Sequence, residues 1–212
     1  MLRSIYFVRA MQLVLIVEGG FAIFEQQWQV ALVAFLTLMA TLSPTRFFRW
    51  LGIDLPSSFL LAIVGFLFAT LFLGEVFDFY EKYWWWDAVL HFGSAVGLGL
   101  TGFLFIFMLF EGDRYAAPPL AIAVLSFAVA LSIGALWEIF EFGMDQIFGL
   151  NMQKSGLVDT MWDLIIDSIG ALLGATAGYV YLKGQQFGSL GAAIDEFVAR
   201  NKQLYRKIRR KA

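Results

Sequence analysis

The sequence contains no cysteine, and this absence excludes disulfide bonds, thiolate nucleophiles and cysteine-ligated iron–sulfur clusters. Charged residues are also scarce, because Asp, Glu, Lys and Arg make up only 15% of the 212 residues, whereas soluble domains contain about 25%. Hydrophobic residues make up 60% of the chain, and 23 of them are Phe. This composition excludes an ordinary soluble domain and indicates a protein that crosses a membrane several times.

Six segments are long and apolar enough to cross a bilayer, for which a helix needs about 20 mostly apolar residues. They predict an all-α transmembrane bundle with spans at about 8–24, 28–43, 58–78, 86–110, 118–147 and 162–182. The first two are short and are separated by the turn at 25–27, which predicts a helical hairpin. The four prolines fall at the ends of the predicted segments, where proline interrupts no helical hydrogen bond: Pro44, Pro56, Pro118 and Pro119. We therefore expect residues 1–190 to form a single transmembrane domain, with the last three spans as its core.

Basic residues are segregated by this six-span arrangement. Of the 15 Lys and Arg residues, all but Lys82 and Lys154 fall on one side of the membrane. Because loops rich in Lys and Arg stay in the cytoplasm, both termini are predicted to be cytoplasmic. The aromatic segment 80–86 then lies at the opposite surface, as expected for the belt of Trp and Tyr at a membrane interface.

The C-terminal segment, residues 191–212, differs from the spans. Apolar residues recur there at helical spacing, while the other positions are polar and increasingly basic: Ile194, Phe197, Val198, Leu204, Tyr205 and Ile208. This pattern predicts an amphipathic surface helix at the inner leaflet, attracted to anionic lipid. The alternative is a basic anchor that only fixes the orientation of the chain.

Acidic residues are concentrated in the outer half of the last three predicted spans, where a charge is costly to bury. Residues three or four positions apart share a helix face. Six ionisable residues follow this spacing and are predicted to line a cavity that opens outward: Asp87, His91, Glu138, Glu141, Asp163 and Asp167. The stripe of the sixth span continues through Gly170, Gly174 and Gly178, and such small residues let a second helix approach closely. The alternative is that these acids are solvated at the helix ends.

A divalent metal ion or a cationic substrate is the simplest explanation for so many neighbouring carboxylates, because they cannot all stay ionised without a positive partner. The predicted metal ligands are Asp87, His91, Glu138, Glu141, Asp163 and Asp167. One imidazole with several carboxylates suits Mn²⁺, Fe²⁺, Zn²⁺, Ca²⁺ or Mg²⁺ rather than Cu(I). Glu138 and Glu141 are the candidates for a catalytic general base. Protonated carboxylates are the alternative, and no organic cofactor is indicated.

Three stretches carry a resemblance to a known family: WWDAVLHFGSAVGLGLTGF from Trp85, GALWEIFEFGMDQ from Gly134 and GLVDTMWDLIIDSIGALLGA from Gly156. They resemble the YjdF-like family of bacterial inner-membrane proteins, which is itself similar to the VanZ-like proteins. The resemblance covers roughly residues 80–182. Asp167 favours the YjdF-like family, since VanZ-like proteins commonly have Asn at that position. Trp86 is a departure from the YjdF-like pattern, which usually has Tyr there. The resemblance implies a small multi-pass protein of the bacterial inner membrane, and the VanZ-like relatives are associated with glycopeptide resistance and the cell envelope.

Three functions are compatible with the sequence. The first is an envelope- or lipid-directed hydrolytic activity that uses a metal-activated water. The second is a proton- or cation-coupled transporter, in which the carboxylates carry ions, although the inner half of the chain shows no matching polar path. The third is a non-catalytic accessory subunit of a membrane complex. The small-residue pair Gly93 and Gly97 is compatible either with packing within the bundle or with a homo-oligomer contact. No feature indicates nucleic-acid binding.

Overall fold

The computed structural model describes residues 2–114 and 116–205, and within these residues it contains helices and loops but no strand. Six helical segments in this part of the chain are long and apolar enough to cross a membrane. They are Ser4–Phe24, Trp28–Trp50, Ser57–Gly74, Trp86–Leu109, Pro119–Phe148 and Leu157–Leu182. The predicted all-α fold with six spans is therefore confirmed, whereas the cytoplasmic location of the termini stays a prediction.

The α-helices are numbered along the chain as α1 (Leu2–Phe24), α2 (Trp28–Trp50), α3 (Ser57–Leu67), α4 (Phe79–Lys82), α5 (Trp86–Leu109), α6 (Pro119–Phe148), α7 (Leu157–Leu182) and α8 (Gly188–Arg200). The chain divides into two compact units, residues 1–90 and residues 91–212. Helix α5 begins in the first unit and continues through the second. The single transmembrane domain expected over residues 1–190 stays a prediction.

In the first unit, α1 and α2 form the predicted helical hairpin, and α3 packs against both. The backbone N–H of Gln27 closes the turn between α1 and α2 by donating to the carbonyl of Ala22 at 2.8 Å. Two clusters of buried apolar side chains hold the unit together; one consists of Val8, Leu60 and Val64, and the other of Leu15, Ala34 and Phe72. Van der Waals packing of these side chains orients the three helices against one another, because lipid is as apolar as the side chains themselves.

The prediction that the second span ends near residue 43 is wrong, because α2 continues through Pro44 to Trp50. Proline has no N–H group, so the carbonyl of Ala40 loses its usual helical partner. The Ser43 hydroxyl donates a hydrogen bond to this carbonyl at 2.8 Å. Since Ser and Thr side chains satisfy backbone groups that proline leaves in membrane helices, α2 reaches the length of a full span.

The third span is shorter than predicted, because it ends at Gly74 rather than at residue 78. Its second half, Phe68–Gly74, is a π-helix that continues directly from α3. The ring of Tyr80 packs on Gly74 so closely that a Cβ atom there would overlap it. The chain then turns at Asp78, which has a left-handed φ of 55°, a conformation that Asp tolerates better than most residues.

In the second unit, α5, α6 and α7 approach one another closely at glycines. A Cβ atom at Gly99 of α5 would lie 2.8 Å from the carbonyl oxygen of Ala171 on α7. A Cβ atom at Gly102 of α5 would lie 3.0 Å from the carbonyl oxygen of Ser126 on α6. This is the small-residue packing that the glycine stripe of the last span predicts. It brings the polar faces of the three helices together.

Helix α8 covers much of the predicted amphipathic segment, but its apolar face does not lie in lipid. Ile194, Phe197 and Val198 are buried within the protein. Tyr205 is also fully buried, and its hydroxyl donates a hydrogen bond to the carbonyl of Leu104 on α5 at 3.3 Å. The apolar face therefore packs on the helical bundle of its own unit. The predicted position Ile208 lies outside the described residues, and the attraction of the tail to anionic lipid stays a prediction.

Candidate metal centre

The candidate site is built around His91, which lies in the second turn of α5 and is 9% exposed. Its two ring nitrogens are directed at carboxylates on two other helices. Nδ1 lies 3.2 Å from Oδ1 of Asp167 on α7, and Nε2 lies 4.0 Å from Oε1 of Glu138 on α6. Glu138 and Asp167 are 4% and 3% exposed, so the three helices enclose one imidazole and two acids.

The Asp167 carboxylate fixes the orientation of the imidazole. When Nδ1 carries the proton, it donates a hydrogen bond to Asp167 and leaves the lone pair of Nε2 on the side of Glu138. Metal-binding histidines almost always use their second ring nitrogen in this way. Two ligand atoms that each lie about 2.1 Å from one ion are at most about 4.2 Å apart. The separation of 4.0 Å between Nε2 and Glu138 therefore allows both atoms to reach the same ion.

Asp163 adds a further buried carboxylate from α7, one turn before Asp167. A carboxylate oxygen of Asp163 and a ring nitrogen of His91 lie within 4.8 Å of one another. Asp87 lies one turn before His91 on the same helix, half-buried, with an oxygen within 4.8 Å of a His91 ring nitrogen. Both positions follow from the four-residue spacing, because residues i and i+4 of a helix lie one above the other.

Close packing of α6 against α7 keeps this group away from lipid. Gly134 lies one turn before Glu138 on the buried face of α6. The carboxylate of Asp167 occupies the space that a side chain at Gly134 would fill. A glycine at this position therefore lets the buried acid of α7 fit against the backbone of α6.

Glu141 differs from the other predicted ligands. It is half-buried rather than buried. It accepts a hydrogen bond at 2.8 Å from Nε1 of Trp137, which lies one turn earlier on α6. The sequence contains the signal for this pair, since Trp137 and Glu141 are four residues apart, but the prediction grouped Glu141 with Glu138 instead. Its assignment as a metal ligand stays a prediction.

Other acids near these helix ends make structural contacts. Asp145 accepts hydrogen bonds from the backbone N–H groups of Met152 and Gln153 at 2.7 and 2.9 Å. These two bonds hold the loop that follows α6. Asp78 forms an exposed ion pair with Lys82 at 3.9 Å, and exposed pairs of this kind contribute at most about 1 kcal/mol.

Comparison with known proteins supports the membrane assignment. An uncharacterized protein of Thermotoga maritima is 33% identical over 135 residues, which are 63% of this chain and 68% of that protein. No solved structure matches the chain significantly. The family described as "Predicted membrane protein (DUF2238)" matches residues 7–184 of this chain. This match includes the first two helices, which lie outside the resemblance over residues 80–182. The chain therefore belongs to the DUF2238 family of predicted membrane proteins.

Proposed function

We propose that this membrane protein binds a divalent cation through His91 and Asp163, with Glu138 as a further ligand on the Nε2 side of the imidazole. The observation that carries the proposal is the buried imidazole of His91 with a carboxylate near each ring nitrogen, Asp167 at 3.2 Å and Glu138 at 4.0 Å. In this arrangement Asp167 holds the imidazole in the tautomer that leaves Nε2 available to the ion. Asp87, one turn before His91, remains a predicted additional ligand.

The charge of the site supports a bound cation. Glu138, Asp163 and Asp167 are buried carboxylates, and α5, α6 and α7 contain no Lys or Arg. An ionised carboxylate that leaves water without a positive partner costs several kcal/mol. A divalent ion would offset two negative charges at once, which a protonated His91 alone would not do.

The set of ligand atoms favours some ions over others. Imidazole nitrogen with carboxylate oxygens suits Zn²⁺, Mn²⁺ and Fe²⁺. Ca²⁺ and Mg²⁺ prefer ligand sets made of oxygen alone, so they fit less well when His91 takes part. The cation we propose is therefore a transition-metal ion.

An envelope- or lipid-directed hydrolysis is the activity that this site would support. A bound ion of this class supplies Lewis-acid chemistry and activates water. Glu141, three residues after Glu138 on α6 and outside the proposed ligand set, would accept the proton as general base. The resemblance to YjdF-like and VanZ-like proteins supports a location in the bacterial inner membrane and a role in the cell envelope.

The proposal is tested by measuring the metal content of the purified protein. The chain in detergent is incubated with each candidate ion, desalted and analysed by inductively coupled plasma mass spectrometry beside His91→Ala and a control, Asp195→Asn. Asp195 is an exposed acid on α8, outside the site. We expect a stoichiometric transition-metal ion in the wild type and the control, and its loss from His91→Ala. Equal metal content in His91→Ala and the wild type, or none in either, would overturn the proposal.

A further inference from the structure

A second polar feature lies in the first unit, apart from the acidic site. A cavity of about 150 Å³ opens between α1, α2 and α3. Its apolar wall includes Val8 and Leu60, which are buried, and Leu42, which is half-buried. The wall is continuous with the first apolar cluster of the unit, so the cavity offers a surface that fits hydrocarbon.

Polar residues also line the cavity, and one of them carries a positive charge. These residues are Arg9, Gln12, Thr41 and Thr45, and none of the lining residues is acidic. The two Thr hydroxyls already donate to backbone carbonyls of their own helix. One N–H of the Gln12 amide is directed at the Thr41 hydroxyl at 3.5 Å. The second amide N–H of Gln12 and the guanidinium of Arg9 are therefore the donors that the cavity offers to a ligand.

Arg9 has no acidic partner in the described part of the chain, where no carboxylate lies within ion-pair distance of it. Arg9 lies about 8 Å along α1 from Ser4, where the span begins. Arg46 and Arg49 are exposed at the neighbouring end of α2. A long cationic side chain at this depth reaches toward the phosphate layer of a bilayer, and the three arginines make this end of the hairpin attractive to anions.

We propose that this cavity binds the phosphate of an anionic membrane lipid. The Arg9 guanidinium pairs with the phosphate oxygens, for which its planar set of donors is well shaped, and Gln12 donates a further hydrogen bond. The first methylenes of an acyl chain lie along Val8 and Leu60. The apolar wall favours a lipid over free phosphate, because an inorganic anion would leave that wall without a partner. This site is independent of the proposed metal centre.

Native mass spectrometry of the full chain tests the proposal. The protein is released from detergent micelles that contain phosphatidylglycerol and phosphatidylcholine in equal amounts, and the lipid that stays bound is identified. We expect Arg9→Gln to weaken retention of phosphatidylglycerol about tenfold and Gln12→Leu to weaken it about fivefold. Arg49→Gln is the matched control, because it removes the same charge from the same end of the hairpin without touching the cavity lining.

Each outcome decides the proposal. Selective loss of phosphatidylglycerol from Arg9→Gln and Gln12→Leu, with Arg49→Gln like the wild type, supports a lipid site in the cavity. Equal losses in Arg9→Gln and Arg49→Gln would show only a diffuse positive surface and overturn the site. Displacement of the lipid by millimolar inorganic phosphate would overturn the assignment of a lipid as the ligand.

Discussion

The carboxylate of Asp167 on α7 lies against the backbone of Gly134 on α6, in space that any side chain at position 134 would occupy. A Cβ atom there would overlap Oδ2 and would lie 3.1 Å from Cγ of Asp167. The same carboxylate reaches His91 through its other oxygen, Oδ1, at 3.2 Å. Gly134 therefore determines how closely α6 can approach the pair formed by Asp167 and His91.

Gly134→Ala is expected to disturb this pair. The added methyl group must push the Asp167 carboxylate away or separate α6 from α7, and overpacking of this kind costs about 1–3 kcal/mol. We expect a lower unfolding temperature in detergent and a lower metal content. Thermal unfolding followed by circular dichroism, together with metal analysis, measures both effects.

Gly143→Ala is the matched control for this substitution. Gly143 lies on the same helix, and a Cβ atom there would meet nothing within 4 Å. Because Ala is a better helix former than Gly, this variant should be neutral or more stable by about 0.5–1 kcal/mol. Equal effects of the two alanine substitutions would show that Asp167 does not need the space at Gly134.

Neutralising Glu138 and neutralising Glu141 are expected to change the metal affinity by different amounts. Glu138 is buried near His91, whereas Glu141 is half-buried and accepts a hydrogen bond from Trp137. Glu138→Gln should lower metal affinity at least about tenfold, since it removes a charged ligand. Glu141→Gln should change metal affinity little. Isothermal titration with Zn²⁺ and Mn²⁺ compares the two variants, and a larger loss in Glu141→Gln would contradict the proposed ligand set.

The spacing of charges along the helices predicted which faces are buried, because side chains at i and i+4 stack directly. His91 on α5, and Asp163 and Asp167 on α7, are all buried as expected. The difference between Glu138 and Glu141 could not be predicted from spacing alone. Positions i and i+3 are about 60° apart around the helix axis, and the indole of Trp137 is a local partner for the second carboxylate.

Two other features depend on contacts that a sequence pattern does not contain. Proline usually ends a helix, but the Ser43 hydroxyl satisfies the carbonyl that Pro44 leaves, and α2 continues. The apolar face of α8 was visible in the sequence, but the pattern did not show that protein rather than lipid covers Ile194 and Phe197. Amphipathicity predicts that a face is buried and does not identify its partner.

Gly174→Ala is expected to separate α5 from α7. A Cβ atom at Gly174 would lie 2.5 Å from the carbonyl oxygen of Val96 and 2.9 Å from Cα of Gly99. Both neighbours are backbone atoms, so neither can move without shifting a helix. We expect a loss of about 1–3 kcal/mol in the free energy of unfolding. Gly65→Ala on α3 is the control, because nothing lies within 4 Å of its Cβ position, and an equal loss there would contradict the packing argument.

Because of Tyr205, the stability of the second unit should fall as the pH rises in the alkaline range. Burial raises the pKa of the Tyr205 phenol well above its ordinary value of about 10, and the nearby Tyr181 phenol raises it further. The folded state therefore holds this proton more tightly than the unfolded state does. The resulting stability is fully present below pH of about 10 and is lost as the pH rises above that value.

The comparison of the wild type with Tyr205→Phe measures this dependence. The variant should lose about 1 kcal/mol at neutral pH, because the hydrogen bond to the Leu104 carbonyl is removed. Between pH 9 and 12 its unfolding temperature should fall less steeply than that of the wild type, since it has no phenol at position 205 to ionise. Parallel curves over this range would show that the Tyr205 proton does not contribute to stability.

The absence of cysteine makes the orientation of the chain directly measurable, because a single introduced thiol is the only site for a maleimide. Ser155→Cys places a thiol in the exposed loop before α7, and Ser189→Cys places one at the exposed start of α8. The distribution of Lys and Arg predicts that a membrane-impermeant maleimide labels Ser155→Cys in intact cells and labels Ser189→Cys only after the membrane is opened. The reverse result would invert the predicted orientation. Labelling of both variants from the same side would contradict α7 as a membrane span, because α7 is the span that separates the two positions.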